Sequence, residues 1–248
     1  LITYGLIGYP LGHSFSVSYF TRKFREEGLD AMYRNFPLET IGGFRDLLER
    51  EPGLAGLNVT VPYKQAVIPF LDELDDTAGA IGAVNTIVFG QREGRRWLSG
   101  YNTDVTGFRR SLEEHLDRSH SRALVLGTGG ASKAVSYVLG AMGIAFRMVS
   151  RRRGEGILSY KELDPAMVAL HTLVINTTPL GMHPEVDSCP PIPYEALGPG
   201  HLLFDLVYNP ARTLFLQKGE QHGASVVNGY DMLVYQAEAS WAIWSRKT

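Results

Sequence analysis

The stretch Arg122-Ala-Leu-Val-Leu-Gly-Thr-Gly-Gly-Ala-Ser132 decides the fold. A short apolar run reads as a buried strand, and it passes through Gly127, Thr128, Gly129, Gly130 and Ala131 into a helix-period segment over 130–142 that Gly143 ends. Glycines at such a turn let a pyrophosphate approach backbone N–H groups at a helix N-terminus, where the dipole favours negative charge. A P-loop would need Gly at Ser132 and Ser or Thr at Ala134 beside Lys133, so nucleoside triphosphate hydrolysis is not expected.

Working outward, further apolar runs at 145–150, 172–177, 202–207 and 224–227, with helix-period segments at 211–219 and 230–246, predict a parallel sheet covered on both faces. This is the pattern of a Rossmann-like doubly wound α/β domain. About twenty residues past the glycine turn, an NAD-binding chain carries Asp or Glu for the ribose 2′-hydroxyl. Here the chain reads Ser150, Arg151, Arg152, Arg153. Guanidiniums suit a 2′-phosphate by bidentate pairing, so the cofactor reading is NADP rather than NAD; taken alone, the arginines also fit a solvated basic loop.

The first hundred residues alternate too, with strand-like runs at 2–7, 31–36, 54–61, 83–89 and 96–101 and helical periods at 16–27, 40–50 and 104–116. The reading is an α/β fold of two domains, 1–103 completed by 229–248, and 104–228. The last helix packs back on the first domain, and Ser99, Gly100, Asn102 and Thr103 form a hinge.

Composition bounds the partners. The 248 residues are 44% hydrophobic and 20% charged, a globular balance. With 24 basic against 26 acidic side chains, the net charge of −2 lacks the broad positive field of nucleic-acid or anionic-membrane binders. A single Cys189 rules out an internal disulfide, no apolar run reaches membrane-spanning length, and the start carries no basic leader, so a cytoplasmic location is expected. The seven histidines show no metal-ligand spacing and no G-x-S-x-G turn occurs, so neither a metal site nor a serine hydrolase is expected.

Lysine is scarce, 6 against 18 arginines, which draws notice to Lys64. It follows Asn58-Val-Thr-Val-Pro-Tyr, where a strand ends and Pro62 suits the first turn of a helix. An ammonium in that turn opposes the helix dipole; a solvent-reaching Lys is the plain alternative. Polar groups stand at other strand ends: Ser14 and Ser16, Asn85 and Thr86, Asn102, Thr103 and Asp104. Together they suit a ligand rich in hydroxyls. Singly, Ser14 or Ser16 can cap a helix, Asn85 can be a turn residue, and Asp104 can be the N-cap of 104–116.

Gly8-Tyr-Pro-Leu-Gly-His-Ser-Phe-Ser16, Asn58-Val-Thr-Val-Pro-Tyr-Lys64, Gly82-Ala-Val-Asn-Thr86 and Tyr101-Asn-Thr-Asp104 together resemble the shikimate dehydrogenase family. Gly127-Thr-Gly-Gly-Ala131, Asn176-Thr-Thr-Pro-Leu-Gly-Met182, Asp205-Leu-Val-Tyr-Asn-Pro210 and Asn228-Gly-Tyr-Asp-Met-Leu-Val-Tyr-Gln236 continue the likeness in order. The resemblance implies a substrate domain followed by an NADP domain, and reversible NADP-linked reduction of 3-dehydroshikimate to shikimate without a metal, on the route to aromatic amino acids. It implies that Lys64 and Asp104 are the catalytic pair, that Ser14, Ser16 and Tyr208 hold the substrate carboxylate, and that Asn58, Thr60, Asn85, Asp104 and Gln236 meet ring hydroxyls. On the cofactor side it implies Gly127, Gly129, Gly130 and Ala131 at the pyrophosphate, Ser150, Arg151 and Arg152 at the 2′-phosphate, and Gly229 and Met232 near the nicotinamide. The partner is a small molecule, and monomer and homodimer both stay open. A quinate-oxidising relative and a non-catalytic NADP-binding regulator are the alternatives. Departures from the family pattern are Val17 for the usual Pro, Tyr19 and Phe20 for a His-Asn pair, Arg152 where Thr is common, and Asp231 in a usually neutral segment.

Overall fold

The structure is a computed structural model that describes residues 1–12 and 14–246; His13, quoted in the first motif, lies outside the described residues. The chain divides into two compact units, Leu1–Thr103 with Ala237–Thr248, and Asp104–Gln236. In order, the first stretch carries β1 (Ile2–Gly8), α1 (Phe15–Glu26), β2 (Ala31–Pro37), α2 (Phe44–Arg50), β3 (Leu54–Val59), β4 (Glu73–Leu74), α3 (Asp76–Ile81), β5 (Thr86–Arg92) and β6 (Arg95–Tyr101). There follow α4 (Asp104–Glu113), β7 (Arg122–Leu126), α5 (Gly130–Ala141), β8 (Ala145–Ser150), β9 (Ile157–Ser159), α6 (Pro165–Leu170), β10 (Leu173–Asn176), β11 (Leu202–Asp205), α7 (Leu214–Gln221), β12 (Ser225–Val227) and α8 (Tyr230–Ser245).

In the first unit the sheet order is β2-β1-β3-β5-β6-β4. β1 pairs in parallel with β2 and β3, whereas β3, β5 and β6 run antiparallel in turn. The β5–β6 hairpin closes on Glu93 and Gly94, with φ of 53° and 76°, the paired positive angles that match strand twist in a two-residue turn. Period-two alternation splits β1 between two cores. Ile7 faces Leu57, Ile87, Phe44 and Leu47, while Tyr4 and Leu6 face Phe20, Phe24, Tyr33 and Trp244. Trp244 of α8 lies directly on the sheet: a Cβ at Gly56 would stand 2.3 Å from its Nε1, which donates to Ile87 O at 3.0 Å.

The second unit holds the order β12-β11-β10-β7-β8-β9, every neighbouring pair parallel. Counted from β7, this is the dinucleotide-fold order with its switch point between β7 and β10. Its core gathers Leu124, Leu126, Val149, Val174, Leu203 and Phe215.

Several expectations need correction. The run 83–89 becomes a strand only from Thr86, because Val84 N–H is taken by Lys64 O. The segment 40–50 opens as a 3-10 turn over Ile41–Gly43 before α2, α4 stops at Glu113 rather than 116, and α7 begins at Leu214, capped by the Thr213 hydroxyl. The short elements β4, α3, β9 and α6 carried too few residues for a period to show. Ser99 and Gly100 are no hinge: both pair within β6, and a Cβ at Gly100 would crowd Leu71, Leu74 and Val84. The second boundary falls between Gln236 and Ala237, inside the continuous helix α8, rather than at 228.

Candidate active site

Within the second unit, a cavity of about 330 Å³ opens at the carboxyl ends of β7, β8 and β10, lined by Gly127, Gly129, Ser150, Arg151, Tyr160 and Thr177 among others. The glycine turn forms one wall. Gly129 precedes the first turn of α5, nothing lies within 4 Å of where its Cβ would be, and Ser132 Oγ donates to its carbonyl at 2.7 Å. Gly130 opens α5 and Ala131 follows in its first turn, so their N–H groups belong to the helix end that has no partner within the helix. The opposite wall is braced by Asn176: its Oδ1 accepts from Thr178 N and Oγ1, its Nδ2 donates to Asp205, and Thr177 Oγ1 donates to Leu126 O.

The arginines separate in role. All three are exposed, but Arg151 lines the cavity, whereas Arg153 pairs with Glu162 at 3.4 Å and Arg152 is not among the lining residues. Ser150 Oγ donates to Arg152 O at 2.5 Å, folding the strand end back on itself. Tyr160 was not legible as a cavity residue. It arrives through β9, whose pairing with β8 has no periodic signal, and burial pushes its phenol up to about 12 against the opposing Arg151 guanidinium. Gly229 is required by packing, since a Cβ there would lie 2.1 Å from Leu206 O, and Met232 is buried. Tyr208 is half-buried, and burial raises its phenol pKa.

Asp205, fully buried, holds the loop before Tyr208. It accepts from Val207 N at 3.0 Å, Thr213 Oγ1 at 2.5 Å and Asn176 Nδ2 at 2.9 Å, yet burial outweighs these donors and raises its pKa from 3.8 to about 6. The folded state therefore holds this proton more tightly than the unfolded state, and stability from this group is greatest below about pH 4 and falls as pH rises through 6. At about 1.4 kcal/mol per unit, the stability of the wild type relative to Asp205→Asn should fall by about 2 kcal/mol between pH 4 and pH 7. Urea unfolding of both proteins across that range checks it; a pH-independent difference contradicts it.

In the first unit a different kind of site appears, a buried polar network. Tyr33 OH donates to Asn58 Oδ1 at 2.8 Å. Asn58 Nδ2 is within reach of Asn85 O, Thr86 Oγ1 and Ser240 Oγ, at 3.2, 3.2 and 3.0 Å. Asn85 Oδ1 accepts from Thr103 N at 2.7 Å and Thr86 Oγ1 at 3.0 Å. Asn85 is thus a buried, fixed amide. Ser14 is the N-cap residue of α1 but its side chain makes no cap bond, so capping does not explain it. Thr60 follows β3 with its N–H on Ile7 O, and its methyl fills the space a Cβ at Gly8 would take.

Lys64 corrects the sequence reading. No α-helix starts at Pro62: Val67 N makes one helical bond to Tyr63 O, but Lys64 O accepts from Val84 N at 2.7 Å and Ile68 N turns to Gln65 O, so the helical ladder goes no further. Lys64 is half-buried in this turn, anchored by its carbonyl rather than opposed by a dipole. Asp104 is buried and is the first residue of α4 rather than its N-cap, a place where the helix end favours a carboxylate. Gln236 is buried and donates to Leu233 O within α8. Tyr33 and Ser240 were missed. Ser240 had a signal, as a small polar residue four positions after Gln236 and four before Trp244 on one helical stripe.

Comparison with known proteins completes the picture. The chain is 40% identical to the shikimate dehydrogenase (NADP(+)) of Geobacillus kaustophilus, over 98% of this chain and 92% of that protein. The chain belongs to the shikimate dehydrogenase family. The family model for the shikimate dehydrogenase substrate binding domain matches residues 6–87. The Thermus thermophilus shikimate 5-dehydrogenase, solved in complex with NADP(H) and shikimate, superposes with a TM-score of 0.86 at 28% identity, covering 99% of this chain and 94% of that one. A quinate dehydrogenase of Corynebacterium glutamicum in complex with NAD gives the same TM-score and coverage at 28% identity. Against the family pattern, Phe20 and Tyr19 find structural uses. Phe20 stacks on Tyr33 at 4.7 Å, and Tyr19 OH donates to Glu238, which also meets Lys23. Asp231 lies in the first turn of α8, where an acid is favoured.

Proposed function

We propose that this family member is a cytoplasmic, NADP-dependent shikimate dehydrogenase that interconverts 3-dehydroshikimate and shikimate. The observation that carries the reading is the cavity at the β7–β10 switch point, where the glycine turn and the Ser150-Arg151 end of β8 meet with no carboxylate among the lining residues. That donor set fits a dinucleotide bearing a 2′-phosphate: Gly129, Gly130 and Ala131 take the pyrophosphate, and Ser150 and Arg151, with Arg152 beside them, take the phosphomonoester. Gly229 and Met232 are assigned to the nicotinamide end. Bound NADPH supplies the hydride.

In the reduction, the Lys64 ammonium gives a proton to the oxygen that becomes the new hydroxyl and steadies its charge; in the oxidation, the neutral amine takes it back. Asp104 holds the reacting hydroxyl and its neighbour. Ser14, Ser16 and Tyr208 receive the substrate carboxylate, and Asn58, Thr60, Asn85 and Gln236 receive ring hydroxyls.

Absorbance at the nicotinamide band with shikimate and NADP tests the reading directly. No shikimate-dependent reduction of NADP or NAD overturns it, and calorimetric NADP binding without turnover favours a regulator. Specificity constants for quinate and for NAD decide against the quinate reading if both stay below those for shikimate and NADP. Arg151→Ala should raise the KM for NADP on the order of 10-fold or more while leaving that for NAD within about twofold, since charged hydrogen bonds contribute about 1.5–3 kcal/mol. Equal shifts for both cofactors would place Arg151 away from the 2′-phosphate.

A further inference from the structure

The polar network of the first unit orients its amides. Tyr33 OH donates to Asn58 Oδ1, and Asn85 O, which can only accept, lies on the other side, so the Asn58 amide turns its Nδ2 that way. The nearest acceptor on that side is Ser240 Oγ at 3.0 Å. At the far end, the Thr103 backbone N–H fixes which atom of Asn85 is oxygen. Ser240 Oγ also meets Thr86 Oγ1 at 2.9 Å and Thr103 Oγ1 at 3.1 Å, and those two hydroxyls lie 3.2 Å apart, so the three share their protons beside the Asn85 amide. The network therefore runs without a break from Tyr33 through Asn58 and Ser240 to Thr86, Thr103 and Asn85. Ser240 and Thr86 are fully buried, so no water competes for these bonds.

We infer that Ser240 of α8 is a positioning residue for substrate recognition: its hydroxyl accepts from Asn58 and joins Thr86 and Thr103, the two hydroxyls that border the Asn85 amide, and so holds the Asn58 amide and buttresses that of Asn85. This rests on the proposed assignment of Asn58 and Asn85 to ring hydroxyls. An amide presents a donor or an acceptor depending on which way it is turned, so a hydroxyl-rich ring is recognised only if both amides are held. The C-terminal helix thereby does more than cover the sheet. Its Trp244 anchors it to Gly56 and Ile87, and four residues earlier Ser240 supplies the middle link of the chain.

The test is steady-state kinetics of Ser240→Ala with both substrates varied, beside a thermal melt. Asn contacts to ring hydroxyls exist in ground and transition states alike, so their loss raises KM more than it lowers kcat. The KM for shikimate should rise about tenfold, kcat should fall less than about threefold, and the KM for NADP should stay within about twofold. Ser240→Cys, keeping a weak donor of similar size, should recover part of the loss. If Ser240→Ala does not fold, Thr86→Val removes the next link at nearly constant volume and should give the same split. A folded variant with unchanged shikimate KM, or with both KM values rising together, overturns the inference. Absence of turnover in the wild type overturns instead the reading on which it rests.

Discussion

Lys64→Ala should remain folded and bind both ligands, yet lose turnover by a factor on the order of 10² or more. The fold should tolerate the change because the contact that shapes this turn is made by the backbone, Lys64 O accepting from Val84 N, and because the residue is only half-buried. The chemistry should not tolerate it. Carbonyl reduction leaves charge on an oxygen, and under the proposed assignment the ammonium both neutralises that charge and delivers the proton. The loss should therefore fall equally on kcat and kcat/KM, the signature of an interaction made only in the transition state. Lys64→Arg should fare little better, since a guanidinium keeps the charge but does not release its proton near neutral pH. Stopped-flow turnover with calorimetric titration of each ligand checks the pair. Residual kcat within about tenfold of wild type in Lys64→Ala would remove Lys64 from proton transfer.

Why Lys64 could be singled out but misplaced shows where sequence reasoning stops. Its type and neighbours were legible, because a Lys following a strand and a proline is unusual in a chain with few lysines. Its local structure was not, because the competing acceptor geometry comes from Val84, twenty residues away, and long-range pairing leaves no periodic trace. The parallel half of the fold was legible for the opposite reason. Strands buried on both faces read as continuous apolar runs, and the glycine turn gave the order a starting point. The antiparallel β5–β6 pair carried its own local signal in Glu93 and Gly94, but the polar residues around it masked the alternation. At the site, Asn85 stood out as an amide at a strand end and Asn58 was reached only through the family resemblance, whereas Tyr33 and Ser240 looked like ordinary core-facing positions. Only the network shows that their hydroxyls, rather than their bulk, are what those positions use.

The glycine turn gives the second large effect, and it separates two jobs that the motif combines. Gly127 has φ of +112°, and a Cβ there would lie 2.6 Å from Thr177 Oγ1 and 2.9 Å from Thr178 Cγ2. Both threonines are tied in place, Thr177 to Leu126 O and Thr178 to Asn176, so neither can step aside without breaking a hydrogen bond. Backbone strain of about 1–3 kcal/mol and crowding of similar size should make Gly127→Ala less stable by about 2–6 kcal/mol. Against a total of roughly 5–15 kcal/mol for a typical native protein, that is a large fraction. NADP affinity should fall more than tenfold with it, because the displaced threonines form the cavity wall. Gly129→Ala is the contrasting case. With φ of −80° and no atom within 4 Å of the new Cβ, it should leave urea stability within about 0.5 kcal/mol of wild type. Its methyl instead occupies the cavity itself, so NADP affinity alone should drop. Urea unfolding and calorimetry on the two variants therefore distinguish a glycine needed by the fold from one needed by the ligand. A Gly127→Ala protein as stable as wild type would mean that the turn relaxes without cost, and a Gly129→Ala protein with unchanged NADP affinity would move the pyrophosphate off this loop.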